Sequence, residues 1–134
     1  MYALILAGGK GERLRPLTDT RAKTMAEVNG KPIMWHQVSK LKAAGVTDIV
    51  VLCGYKWETI RDYFGDGSKF GVKIHYSKEE TPLGRGGALK QGFQMVPNTE
   101  ATVIACNGDV LTGEDLNSMI DAHKNHGAVA TVML

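Results

Sequence analysis

At 134 residues the chain is long enough for one domain with a real core, and 43% apolar with 22% charged residues is the make-up of an ordinary globular protein. A formal net charge of +2 excludes bulk electrostatic attraction to nucleic acid or to a membrane surface, so any function must come from a local site. No segment has the length of a membrane span, the first residues lack the basic start of a secretory signal, and only two cysteines are present, so a reducing cytoplasm is the expected setting.

Tyr2–Ala7 (YALILA) is a near-continuous apolar run and predicts a buried strand. It leads directly into Gly8-Gly9-Lys10-Gly11, with Arg13, Arg15 and Pro16 close behind. Pro32 suits a first helical position, and Met34, Val38 and Leu41 follow at helical spacing, predicting a helix that ends near Gly45. Asp48–Cys53 reads as a second buried strand. Trp57, Ile60 and Phe64 form the apolar stripe of a second helix, stopped by Gly65-Asp66-Gly67. Val72–Ser77 alternates, with Val72, Ile74 and Tyr76 on one face, as an edge strand does. Ala88 to Met95 predicts a third helix, and Thr102–Asn107 a fourth strand. Thr112 with Asp115 three residues on is a capping-box pattern for a fourth helix carrying Leu116, Met119, Ile120 and His123. Ala128–Leu134 predicts a final strand.

Strands alternating with helices define the α/β class: a Rossmann-like, doubly wound, mostly parallel sheet in a single domain, residues 1–134, without repeats or linkers. Ending on an apolar strand reads as a domain cut short, and the free edge of that strand would invite pairing, which leaves a homo-oligomer open. Cys53 and Cys106 sit in strand-like runs and read as inert core thiols. His123 and His126 are spaced to share a metal, or else one packs and the other faces water; His36 and His75 read as ordinary helix and strand residues.

The loop after the first strand carries the sharpest signal. In open α/β sheets ligands bind beyond the carboxyl ends of the strands, where this loop begins. Its glycines let backbone N–H groups approach an anion, and Lys10, Arg13 and Arg15 add charge-assisted donors. The P-loop pattern is absent, and the third glycine of a dinucleotide fingerprint falls on Leu14. Pro16 prevents a long helix from running through.

The run LAGGKGERLRPLTDTRAK, then VNGKPI, YFGDGSKFGVKIHYS, TPLGRGGAL and NGDVLT, taken in that order, resembles the sugar-1-phosphate nucleotidyltransferases, most of all their mannose-1-phosphate guanylyltransferase-like members. The resemblance implies a nucleotide-binding N-terminal part of such a domain. The implied reaction is NTP plus sugar 1-phosphate giving NDP-sugar and pyrophosphate. It implies nucleotide contacts from Leu6, Ala7, Gly8, Gly9 and Gly11, catalytic roles for Arg13 and Lys23, and an Mg²⁺ ligand in Asp109. Lys23 here follows alanine where the family has proline, and Arg85 stands where a threonine is usual, which leaves its role open. The TPLGRGGAL segment becomes the base and ribose loop, with Glu80, Leu83, Gly84 and Gly87 as nucleotide contacts. A carboxylate only accepts, and guanine offers adjacent donors, whereas an amide suits thymine or uracil better; Glu79 and Glu80 therefore lean toward GTP, and the resemblance implies mannose 1-phosphate as acceptor. The alternatives are dTTP or UTP with glucose 1-phosphate, and a nucleotide-binding or regulatory module of the same fold without turnover.

Overall fold

The computed structural model describes all 134 residues. In chain order the elements are β1 (Tyr2–Ala7), β2 (Glu27–Val28), β3 (Lys31–Pro32), α1 (Ile33–Ala43), β4 (Asp48–Cys53), α2 (Trp57–Phe64), β5 (Lys73–Lys78), α3 (Gly84–Phe93), β6 (Val103–Asn107) and α4 (Leu116–His126). Short 3-10 turns at Glu12–Leu14, Leu17–Asp19 and Lys23–Met25 carry the chain from β1 to a small antiparallel β2–β3 ribbon. Pro16 indeed sits between single turns rather than inside a helix.

The main sheet is parallel throughout, in the order β5-β4-β1-β6. Alternate residues of each strand point to opposite faces, and both faces are covered. Ala3, Ile5, Ala7, Ile49 and Val51 pack with Met34, Val38 and Leu41 of α1, Ile60 and Phe64 of α2, and Ile120 of α4. Leu4, Val50 and Leu52 pack on the other face with Ala88 of α3 and Val96. The long apolar runs read from the sequence are thus double-sided strands. β5 is an edge strand, as its alternation predicts.

Register brings Ala7, Cys53 and Lys78 to one edge of the sheet, with Asn107 one step behind. From β1 the chain crosses to β4 on one side and only later returns to β6 on the other. The crevice at that switch point, above β1, is where the first loop emerges.

Three expectations are corrected. Ala128–Leu134 is no strand: it follows the left-handed C-cap Gly127 and makes no ladder with β6. Val129–Met133 instead face β6 and α4 across a groove of about 580 Å³, and Val129, Val132 and Leu134 are exposed. Apolar β-formers become a strand only when they join a ladder, and here the groove separates the segment from the edge strand β6. The fourth helix is capped by Asp115, not Thr112: its Oδ1 accepts from Asn117 N at 3.0 Å and its Oδ2 from the Ser118 hydroxyl at 2.7 Å. The third helix begins at Gly84, four residues before the apolar stripe shows it.

Burial pushes both thiols up to about 11, so neither is a nucleophile near neutral pH. His123 Nδ1 lies 3.0 Å from Thr131 Oγ1, and His126 Nδ1 lies 2.8 Å from Ala122 O. No three ligating side chains converge anywhere in the protein.

Candidate active site

A cleft of about 830 Å³ opens at the carboxyl end of β1. Its walls are the loop from Gly8 to Leu14, the Lys23-Thr24 turn, Glu79, the start of α3, and Asn107 with Asp109 beyond β6. Segments more than a hundred residues apart in sequence meet here because β6 pairs with β1 in the middle of the sheet.

The loop supplies donors. The N–H groups of Gly8, Gly9, Lys10 and Gly11 donate to no backbone carbonyl. Four unclaimed amides with Lys10, Arg13 and Lys23 around them form a surface that favours negative charge. Arg15 turns away: its Nε lies 3.6 Å from Asp19 Oδ1, and it does not line the cleft.

Lys23 Nζ lies 2.6 Å from Asp109 Oδ2, with both side chains partly exposed to the cleft. Gly108 makes this meeting possible. Its N–H continues the ladder to Leu6 O at 2.9 Å. A Cβ there would come within 2.8 Å of Thr24 Cγ2 and 2.9 Å of Ile5 Cγ2, so only glycine lets the β6 end lie this close to β1. Thr24 Oγ1 is buried on the same side and has no hydrogen-bond partner.

Asp109 and the Asn107 side chain, which also lines the cleft, are hard oxygen donors of the kind Mg²⁺ takes. One carboxylate is too little to hold the ion alone. It fits an ion shared with phosphates and water, and in this structure the carboxylate is paired with the Lys23 ammonium.

On the opposite wall it is Glu79, not Glu80, that lines the cleft. Its Oε2 accepts from Leu83 N at 3.0 Å, and its Oε1 sits 2.9 Å from where a Gly8 side chain would begin. The Glu80 side chain is 84% exposed, near Lys78 at 4.0 Å, and is not part of the cleft wall. Glu79, one residue beyond β5, donates its N–H to Cys53 O at 2.8 Å, which holds it beside the end of β4. Sequence alone offered two neighbouring carboxylates and no way to choose between them. Of the remaining residues singled out from the sequence, Leu6, Ala7, Gly8, Gly9, Gly11, Arg13, Lys23, Gly84 and Asp109 all line the cleft. Leu83 and Gly87 do not: a Cβ on Gly87 would fall 2.8 Å from Leu83 Cβ, so they pack on each other in the first turn of α3. Arg85, whose role was open, does line it.

An α/β domain with an anion-favouring cleft at the switch point of a parallel sheet is the class this geometry defines. Residues 2–134 match the nucleotidyl transferase family (NTP_transferase), and the chain belongs to that family. It is 41% identical to the mannose-1-phosphate guanylyltransferase of Mycobacterium tuberculosis over 132 residues, covering 98% of this chain and 36% of that protein. The chain therefore spans a little over a third of that relative. Among solved structures, HddC from Yersinia pseudotuberculosis complexed with GMP-PN superposes with a TM-score of 0.78 at 30% identity, over 91% of this chain and 53% of that one. A Bacillus anthracis protein, provisionally assigned as a glucose-1-phosphate thymidylyltransferase, superposes with a TM-score of 0.85 at 29% identity, over 93% of this chain and 51% of that one. No helix is long and apolar enough to cross a membrane.

Proposed function

We propose that this chain is the nucleotide-binding part of a cytoplasmic sugar-1-phosphate nucleotidyltransferase that uses GTP and, as acceptor, mannose 1-phosphate. The observation that carries the reading is the cleft mouth: four unclaimed loop amides meet Lys10, Arg13, Lys23 and Asp109 at the carboxyl end of β1.

The chemistry asks little of a general base. A phosphate oxygen of the sugar 1-phosphate, already anionic, attacks the α-phosphorus of the nucleotide. That P–O bond forms as the bond to the bridging oxygen breaks, and its electron pair leaves on pyrophosphate. Two anions must be brought together and the charge growing on the leaving group must be met. The Gly8–Gly11 amides and Lys10 wrap the triphosphate. Arg13 faces the developing pyrophosphate, and Lys23 binds phosphate once it leaves Asp109. Asp109, together with phosphate oxygens, would hold Mg²⁺, and the ion would supply further neutralisation of that charge.

The base lean rests on Glu79. One of its oxygens is tied to Leu83 N, which fixes the carboxylate at the rim of the cleft as an acceptor for adjacent guanine donors. The guanylyltransferase name of the Mycobacterium relative and the GMP-PN bound to HddC point the same way. The thymidylyltransferase assignment of the Bacillus neighbour supports the runner-up, dTTP or UTP with glucose 1-phosphate.

Pyrophosphate release from GTP with and without mannose 1-phosphate tests the reading. Release that requires the sugar phosphate, and that falls about a hundredfold in Arg13→Gln with the fold intact, is expected. Release independent of any sugar phosphate contradicts transfer. Tight GTP binding with no release by the full-length protein favours the non-catalytic module.

A further inference from the structure

The anion loop contains little regular structure, yet its donors must be held in place before a ligand arrives. The turn between β4 and α2 together with the first turn of α2, Gly54 to Thr59, touches it at three points. At the loop's start, a Cβ on Gly54 would lie 3.4 Å from Gly8 O and 3.8 Å from Gly8 Cα, so the turn lies against Gly8. Midway, the Tyr55 hydroxyl donates to Thr18 O at 2.9 Å. At its end, Thr59 Oγ1 accepts from Ala22 N at 3.1 Å, one residue before Lys23, and donates to Lys56 O at 2.7 Å.

Thr18 passes the middle contact on. It is fully buried, and its hydroxyl donates to Gly11 O at 2.7 Å. Gly11 has φ of +62°, and a Cβ there would meet Thr18 Cγ2 at 2.8 Å and Lys23 Cβ at 3.1 Å. Gly11, Thr18 and Lys23 are therefore packed as one unit whose position is set from the turn. The turn itself keeps a lysine, Lys56, in the left-handed region at φ +54°. A non-glycine residue persists there only where its surroundings over-determine it, and such residues gather beside functional sites.

We propose that the β4–α2 turn is a positioning clamp for the triphosphate site, with Tyr55 and Thr59 as its positioning residues acting through Thr18 on Gly11 and through Ala22 on Lys23. Neither side chain lines the cleft. The inference rests on the nucleotide reading above. It adds that residues outside the glycine-rich segment set how tightly phosphates, and not the base, are held.

The test compares GTP with guanosine, each titrated into the full-length protein and followed by NMR. Tyr55→Phe removes one hydroxyl and keeps the ring. It is expected to weaken GTP about tenfold while leaving guanosine within twofold of wild type. Thr59→Val is expected to act likewise, and Thr59→Ser, which keeps the hydroxyl, to restore wild-type GTP affinity. A merely structural role would weaken both ligands together, or lower thermal stability without a GTP-to-guanosine split, and either result overturns the clamp. Wild-type binding of both ligands with an unchanged Tyr55→Phe overturns the clamp alone. If the wild type binds neither, the nucleotide reading falls and the clamp with it.

Discussion

At the level of single residues the site is a matter of who faces whom. Lys23 and Asp109 hold each other at 2.6 Å across the cleft, each the other's counter-charge. Glu79 and Glu80 are adjacent in sequence and opposite in fate, one fixed over Gly8, the other out in solvent. That contrast gives a direct expectation. Glu79→Gln keeps an oxygen for Leu83 N but replaces an acceptor-only group with an amide. It should raise the KM for GTP roughly ten- to a hundredfold and narrow the preference over UTP and dTTP, read from KM values for the three nucleotides. Glu80→Gln should leave the preference where it was. Equal behaviour of the two variants would remove Glu79 as the base reader.

Elements were legible from the sequence where their signal was intrinsic and obscure where it depended on a neighbour. β1 and β4 match the residues read from their apolar runs because a double-sided strand needs nothing further to declare itself. Ala128–Leu134 has the same composition and no ladder, and stays unpaired. The start of α3 was hidden because its first turn, Gly84 to Gly87, carries arginine and glycines in place of an apolar face. Elsewhere polar contacts fasten elements together in ways composition does not disclose. His75 of β5 lies 3.1 Å from Asp48 Oδ1 at the start of β4, and the Thr47 hydroxyl donates to Asp48 Oδ2 at 2.8 Å. Partial burial works to raise the Asp48 carboxyl, but these hydrogen bonds, aided by the charges of His75 and Lys73, hold it below its usual range. A carboxyl lowered in the folded state adds stability that is fully present above its unfolded value, near 4, and is lost as pH falls through the folded value. Asp48→Asn should therefore cost about 1 kcal/mol at pH 7 by urea unfolding. The gap to wild type should close as pH drops below about 4. A gap that is the same at pH 3 and pH 7 would show that the carboxylate adds nothing through its charge.

For the whole molecule, the decisive fact is the strand order. Placing β6 beside β1 brings Asp109 to the loop that begins at Gly8, and the site exists only because of that long-range pairing. Sequence patterning conveyed the class of fold and, through ordered motifs, most of the cleft's lining. It did not convey the cross-sheet contacts. Tyr55 reaching Thr18, Thr59 reaching Ala22 and Gly108 pressed against Ile5 join residues with no shared period or motif. The net charge of +2 is equally silent on a site whose cations are concentrated at one sheet edge. The most direct test is a crystal of the protein soaked in Mg-GTP. The account predicts triphosphate density against the Gly8–Gly11 amides, with Arg13 and Lys23 turned to the phosphates and Asp109 released from Lys23 to the metal. Density lodged elsewhere, with that cleft mouth empty and the Lys23–Asp109 pair still closed, would contradict it.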